Sequence, residues 1–144
     1  WCIEIDLRAH NREAILAHPM YPRLRIFDGS SLDKKIALEV SQKASRCERV
    51  MVILDSNHTH EHVLGELNLY APLVTIGSYC VVFDTVIEDL DEIEFIDRPW
   101  GKGNNPKTAV AEFLKTNADF VIDYMIDEKL LISVAPGGYL KRIK

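Results

Sequence analysis

The sequence predicts an α/β domain on a mainly parallel, doubly wound sheet, with helices in layers on both faces. Three observations predict it. Short apolar strands alternate with amphipathic helical stretches along nearly the whole chain, the order that buries a parallel sheet between helices. The stretches 50–54 and 78–83 are nearly unbroken apolar runs, as strands covered on both faces require. Both runs stop on an acid, Asp55 and Asp84, at the carboxyl edge where open α/β sheets place their ligands.

In chain order, 2–6 reads as a short strand and 11–18 as a short helix stopped near Pro19 and Pro22. The next strand is 24–27, closed by Asp28-Gly29-Ser30-Ser31, a turn and helix-capping cluster. A helix over 32–44 follows, its Leu32, Ile36 and Val40 spaced by four along one face. The 50–55 strand leads into a helix over 59–70 with Val63, Leu64 and Leu67 inward, and Pro72 and Gly77 bracket a loop. After the 78–84 strand, the acid-rich 88–97 reads as a solvated helix or loop and 98–106 as a loop. A helix over 107–115 and closing strands at 120–123 and 130–134 complete the chain, with Lys141 and Arg142 in a solvated tail.

With 144 residues, 47% of them hydrophobic and 27% charged, the chain forms one domain, residues 1–144, large enough for a hydrophobic core. A net charge of −5 with scattered basic residues gives no electrostatic footprint for nucleic acid. No apolar run approaches the roughly 20 residues of a membrane-spanning helix. Cys2, Cys47 and Cys80 are an odd number without paired spacing, and Cys2 and Cys80 read as buried thiols of a reducing, cytoplasmic protein. The chain opens on Trp1 inside a strand-forming stretch, so it reads as a processed chain or a fragment.

Adjacent parallel strands bring Asp55 and Asp84 within several ångströms. Two carboxylates so placed repel unless a proton or a cation sits between them, and hard oxygen ligands favour Mg²⁺ or Ca²⁺ over zinc. A strand-end Asp also caps turns, so each acid alone carries little. His58, His60 and His62 lack the spacing of a zinc motif, and on a helix starting near Thr59 His60 points away from the His58–His62 face. His60 and His62 therefore read as surface or packing residues. His58 stands in the turn three residues after Asp55, where an imidazole can act as a general base. The glycines at 29, 101, 103, 137 and 138 do not form a phosphate-binding or dinucleotide loop.

Several stretches together resemble one family. They are Asp55-Ser56-Asn57-His58-Thr59-His60-Glu61-His62 with Leu64-Gly65-Glu66-Leu67, Gly77 to Thr85, Asn104-Asn105-Pro106-Lys107-Thr108-Ala109-Val110 and Gly138 to Arg142. They resemble the cephalosporin hydroxylase / rhamnosyl O-methyltransferase family, class I S-adenosylmethionine-dependent enzymes. The resemblance implies a Rossmann-like methyltransferase fold. It assigns Glu4 to the ribose hydroxyls of S-adenosylmethionine, and Gly29, Ser30 and Ser31 to the turn beside the adenine. Asp55 and Asp84 match metal-binding acids for Mg²⁺, and His58 matches the proposed base. The implied acceptor is a hydroxyl of a sugar or another polyhydroxylated small molecule.

The chain departs from the family pattern twice. Phe83 stands where many members carry a glutamate before the second metal acid, which leaves Thr85 or water as replacement ligands. The family's first strand and its glycine-rich loop are not among these residues, and that strand normally lies between those matching 2–6 and 50–55. Open backbone edges are costly, so the 2–6 strand is expected to pair with another chain, giving a homo-oligomer, or to shift into the gap. Weak binding of S-adenosylmethionine is expected for the same reason. Two other readings stay open: a non-catalytic module of the same fold, and a non-haem iron hydroxylase with His58, His60 and Asp84 as its facial triad. Arg98 and Trp100 suit a sugar site and suit a packed loop equally well.

Overall fold

A computed structural model describes residues 1–4, 8–91 and 95–144. The chain runs β1 (Cys2–Glu4), α1 (Ala9–Ala17), β2 (Ile26–Asp28), α2 (Lys34–Ala44), β3 (Val52–Leu54), α3 (His60–Tyr70), β4 (Tyr79–Val82), α4 (Pro106–Thr116), β5 (Phe120–Ile122), α5 (Tyr124–Leu130) and β6 (Tyr139–Arg142). This is the α/β alternation the sequence predicts. The expected continuation of the first strand through Asp6 falls outside the described residues, as do Glu92 and Glu94 of the acid-rich stretch.

The strands form two separate sheets: a parallel β1–β2 pair, and a four-stranded sheet in the order β3-β4-β6-β5. β3 and β4 are parallel, whereas β6 is antiparallel to both β4 and β5. Pairing among the described strands is thus evenly mixed rather than mainly parallel. The reason lies in the last third of the chain, where β5 and β6 fold back on each other. The apolar run 130–134 is not the closing strand. Residues 124–130 are helical, Leu131 takes a left-handed backbone (φ 63°), and Ile132 is 93% exposed. The closing strand is instead β6, with Leu140 fully buried between its neighbours. Lys141 and Arg142 are therefore sheet residues, not a solvated tail. The Arg142 guanidinium donates to the Pro72 and Val74 carbonyls at 2.8 and 2.7 Å.

The core gathers Ala37 and Val40 of α2, Val63 and Leu67 of α3, Val110 and Phe113 of α4, and the inward faces of β3 to β6. These are the helical faces the sequence spacing marks. α1 buries no residue, so the 3.6-residue periodicity has nothing to report there. α2 begins two residues later than expected because Asp33, not the Gly29-Ser30-Ser31 turn, caps it, accepting from Lys35 N–H at 2.7 Å. α4 opens on a reciprocal capping box between Asn105 and Thr108. Cys80 is buried in β4, where burial pushes its thiol up to about 12, but Cys2 and Cys47 are exposed. Cys2 lies on β1, which among the described residues is paired on one edge only.

β1 pairs with β2 in register Ile3 to Phe27, and does not move across to β3. The shift into a gap that the sequence allowed therefore does not occur. Between β1 and β3 runs a groove of about 600 Å³. Trp1 and Ile3 line one wall, Met51 and Ile53 the other, with Val40 and Tyr70 among the remaining lining residues.

Candidate active site

The β3–β4 ladder continues past the strand ends, because Phe83 N–H donates to the Leu54 carbonyl at 3.0 Å. The next residue on each side is an acid, so Asp55 and Asp84 emerge side by side at the carboxyl edge. Asp84 turns out of the ladder with a left-handed backbone (φ 56°), a conformation Asp tolerates better than most residues. Its carboxylate lies 3.2 Å from His58 Nε2. One ligand atom from each of Asp55, His58 and Asp84 fits within 4.8 Å of the others.

The turn that presents His58 is built by Asn57, whose side-chain oxygen accepts from the Thr59 N–H and hydroxyl at 2.9 and 2.8 Å. Burial raises the Asp55 carboxyl above its usual range; the nearby charge of Asp84 adds to this and His58 opposes it. A divalent cation held by the two acids would offset the repulsive part. Hard carboxylate oxygens beside one imidazole thus fit a divalent cation such as Mg²⁺ on charge and donor type. Thr85 does not replace the ligand lost at Phe83: its side chain is buried and its hydroxyl donates to the Pro136 carbonyl at 3.0 Å.

The other histidines turn elsewhere. His60 is engaged through both ring nitrogens, by Thr108 at 2.8 Å and Glu112 at 3.2 Å, which ties α3 to α4. It stands outside the Asp55–His58–Asp84 group, so the facial triad drawn from the sequence does not assemble. His62 Nε2 lies 3.0 Å from the Ser31 hydroxyl and 3.3 Å from that of Ser56, joining the turn after β2 to the turn after β3.

Gly29, with φ 140°, passes Ile36 so closely that a Cβ would stand 2.8 Å from its Cδ1, which explains glycine at that turn. Ser30 Oγ accepts from Leu32 N–H, and the Ser31 carbonyl accepts from the Tyr70 hydroxyl at 2.5 Å. Ser31 and Asp55 both line the groove between β1 and β3, so one residue of the turn after β2 and one of the two acids face the same depression. Glu4 ends β1 opposite Asp28 in register; its side chain is outside the described residues.

Sequence reasoning missed Glu66. This acid is 2% exposed on α3, accepts from the Ser56 hydroxyl at 2.7 Å, and has one carboxylate oxygen without a partner among the described residues. The i,i+4 spacing from His62 was the available signal, masked by the apolar neighbours Val63 and Leu67.

The family model for rhamnosyl O-methyltransferase/CmcI matches residues 1–143. The chain belongs to that family. Curated relatives include the rhamnosyl O-methyltransferases of Mycobacterium bovis (strain BCG / Pasteur 1173P2) and Mycobacterium tuberculosis (strain ATCC 25618 / H37Rv). Each is 31% identical over 126 residues, covering 84% of this chain and 48% of the relative. This family member thus spans about half the length of the curated relatives it matches. No solved structure matches it. Among the described residues no helix is long and apolar enough to cross a membrane.

Proposed function

We propose that the chain carries the metal and base site of an S-adenosylmethionine-dependent O-methyltransferase that acts on a hydroxyl of a sugar or other polyhydroxylated small molecule. The observation that supports this most is the Asp55–His58–Asp84 group at the carboxyl edge of two adjacent parallel strands. Asp55 and Asp84 would hold Mg²⁺, which when bound supplies positive charge that lowers the pKa of an acceptor hydroxyl. His58 takes the hydroxyl proton on a ring nitrogen, and Asp84, 3.2 Å away, orients the ring and stabilises it once charged. By the family resemblance, Gly29, Ser30 and Ser31 would border the adenine of the methyl donor, and Glu4 would take its ribose hydroxyls. The rate gain comes from positioning and charge stabilisation rather than covalent catalysis.

The test is transfer of a labelled methyl group from S-adenosylmethionine to methyl α-L-rhamnopyranoside. The expected outcome is slow transfer that requires Mg²⁺ and stops with a chelator. Calorimetry should show binding of S-adenosylmethionine weaker than micromolar, because the described residues include no glycine-rich loop. Cation binding with no transfer at any cofactor concentration would favour a non-catalytic, metal-holding module. The groove between β1 and β3 leaves one edge of each strand without a partner among the described residues. Its unpaired strand edges also support self-association, so light scattering during size-exclusion chromatography should show a dimer or larger species. A stable monomer at high micromolar concentration counts against it.

A further inference from the structure

The loop 95–105 brings an aromatic side chain against His58 and a cationic one over that aromatic ring. Trp100 meets His58 nearly perpendicularly, with ring centroids 4.8 Å apart at 88°. The guanidinium carbon of Arg98 lies 5.5 Å from the indole centroid. Trp100 takes no part in the hydrophobic core and keeps part of its surface in solvent, so core packing does not account for it.

The loop is held by polar contacts instead. Gly101 and Asn104 exchange backbone hydrogen bonds at 3.1 and 3.0 Å, and the Asn104 amide donates to the Pro99 carbonyl at 2.9 Å. Glu88 accepts from Gly103 N–H at 2.8 Å and from the Asn105 amide, contacts that hold its carboxyl below the usual range. Asn104 Oδ1 also accepts from the backbone N–H of His60 at 2.9 Å, two residues beyond His58. The loop is therefore fixed relative to the candidate base.

A partly exposed indole and a planar cation on such a loop suit one ligand shape. An indole offers a flat apolar surface to the C–H face of a saturated ring, and a guanidinium offers up to five N–H donors in one plane to neighbouring hydroxyls. We infer that Trp100 and Arg98 form an acceptor subsite for a pyranose and seat one of its hydroxyls at His58. The inference rests on the O-methyltransferase reading above and adds to it the residues that select a sugar ring.

Saturation-transfer NMR on the whole chain with millimolar methyl α-L-rhamnopyranoside tests it without turnover. Transfer to the ring C–H protons is expected in the unmodified chain. It should fall at least fivefold in Trp100→Ala, survive largely in Trp100→Phe, and drop at least twofold in Arg98→Ala. Tyr124→Phe, an exposed aromatic on α5 outside the site, should leave it unchanged. Backbone amide spectra report folding, and if Trp100→Ala unfolds the Phe and Arg98 variants decide the outcome. No transfer in the unmodified chain, unchanged transfer in a folded Trp100→Ala or in Arg98→Ala, or equal loss in Tyr124→Phe overturns the subsite. Intact transfer in a chain that binds no Mg²⁺ sinks the metal-assisted reading and leaves the subsite standing.

Discussion

In calorimetric titrations with Mg²⁺, Asp84→Asn should bind at least ~10-fold more weakly than the unmodified chain, about 1.4 kcal/mol or more. Asn keeps the shape of Asp and tolerates the left-handed backbone at this position (φ 56°), so the loss should be one of charge and not of fold. The effect of pH carries a sign. Asp55 holds its proton more tightly in the folded chain than in the unfolded one, through burial first and Asp84 second. Without a cation, the ionised Asp55 therefore costs stability at pH values above its raised pKa. That cost is gone once pH falls below the unfolded value. Mg²⁺ competes with that proton. Its affinity, and the rise in Tm it produces, should grow with pH through a range above that of an ordinary carboxyl. In Asp84→Asn one of the two causes is gone, so the dependence should move to lower pH. Equal Mg²⁺ affinity in the two proteins would remove the site from consideration.

Gly138→Ala should cost about 2–4 kcal/mol in urea unfolding, combining overpacking with a lost ladder hydrogen bond. A Cβ at Gly138 would stand 2.1 Å from the Val82 carbonyl oxygen and 3.2 Å from that of Ala135. Val82 N–H donates to the Gly138 carbonyl at 2.8 Å, so relief requires parting the backbones of β4 and its partner strand. Asp84 lies two residues beyond Val82, and weakened Mg²⁺ binding should accompany the instability. Gly137→Ala is the control. That residue has φ 73° but no atom within 4 Å of a Cβ, so only backbone strain of about 1 kcal/mol is expected. Costs for the two variants within ~0.5 kcal/mol of each other would show that the β4–β6 approach is not tight.

Three helices, α2, α3 and α4, were legible from spacing, because Val40, Val63, Leu67, Val110 and Phe113 repeat at the interval that faces a core, whereas α1 buries no residue and α5 was not expected. Strand pairing was less so. Residues 130–134 have the composition of a buried strand, yet the place between β4 and β5 goes to 139–142, with Tyr139 and Leu140 followed by Lys141 and Arg142. Composition does not report hydrogen-bond partners, and Arg142 belongs there because the Pro72 and Val74 carbonyls receive it.

Local sequence pattern was enough for the α/β alternation, the carboxyl-edge position of Asp55 and Asp84, and the separation of His58 from the other two histidines. These follow from local pattern: apolar runs that end on acids, and a turn that holds an imidazole off the helix. The folded chain alone reveals that Thr85 is committed to Pro136, that Glu66 is buried beside Ser56, and that Trp100 closes on His58. Each depends on groups 10 to 51 residues apart, whose meeting is set by packing and strand order.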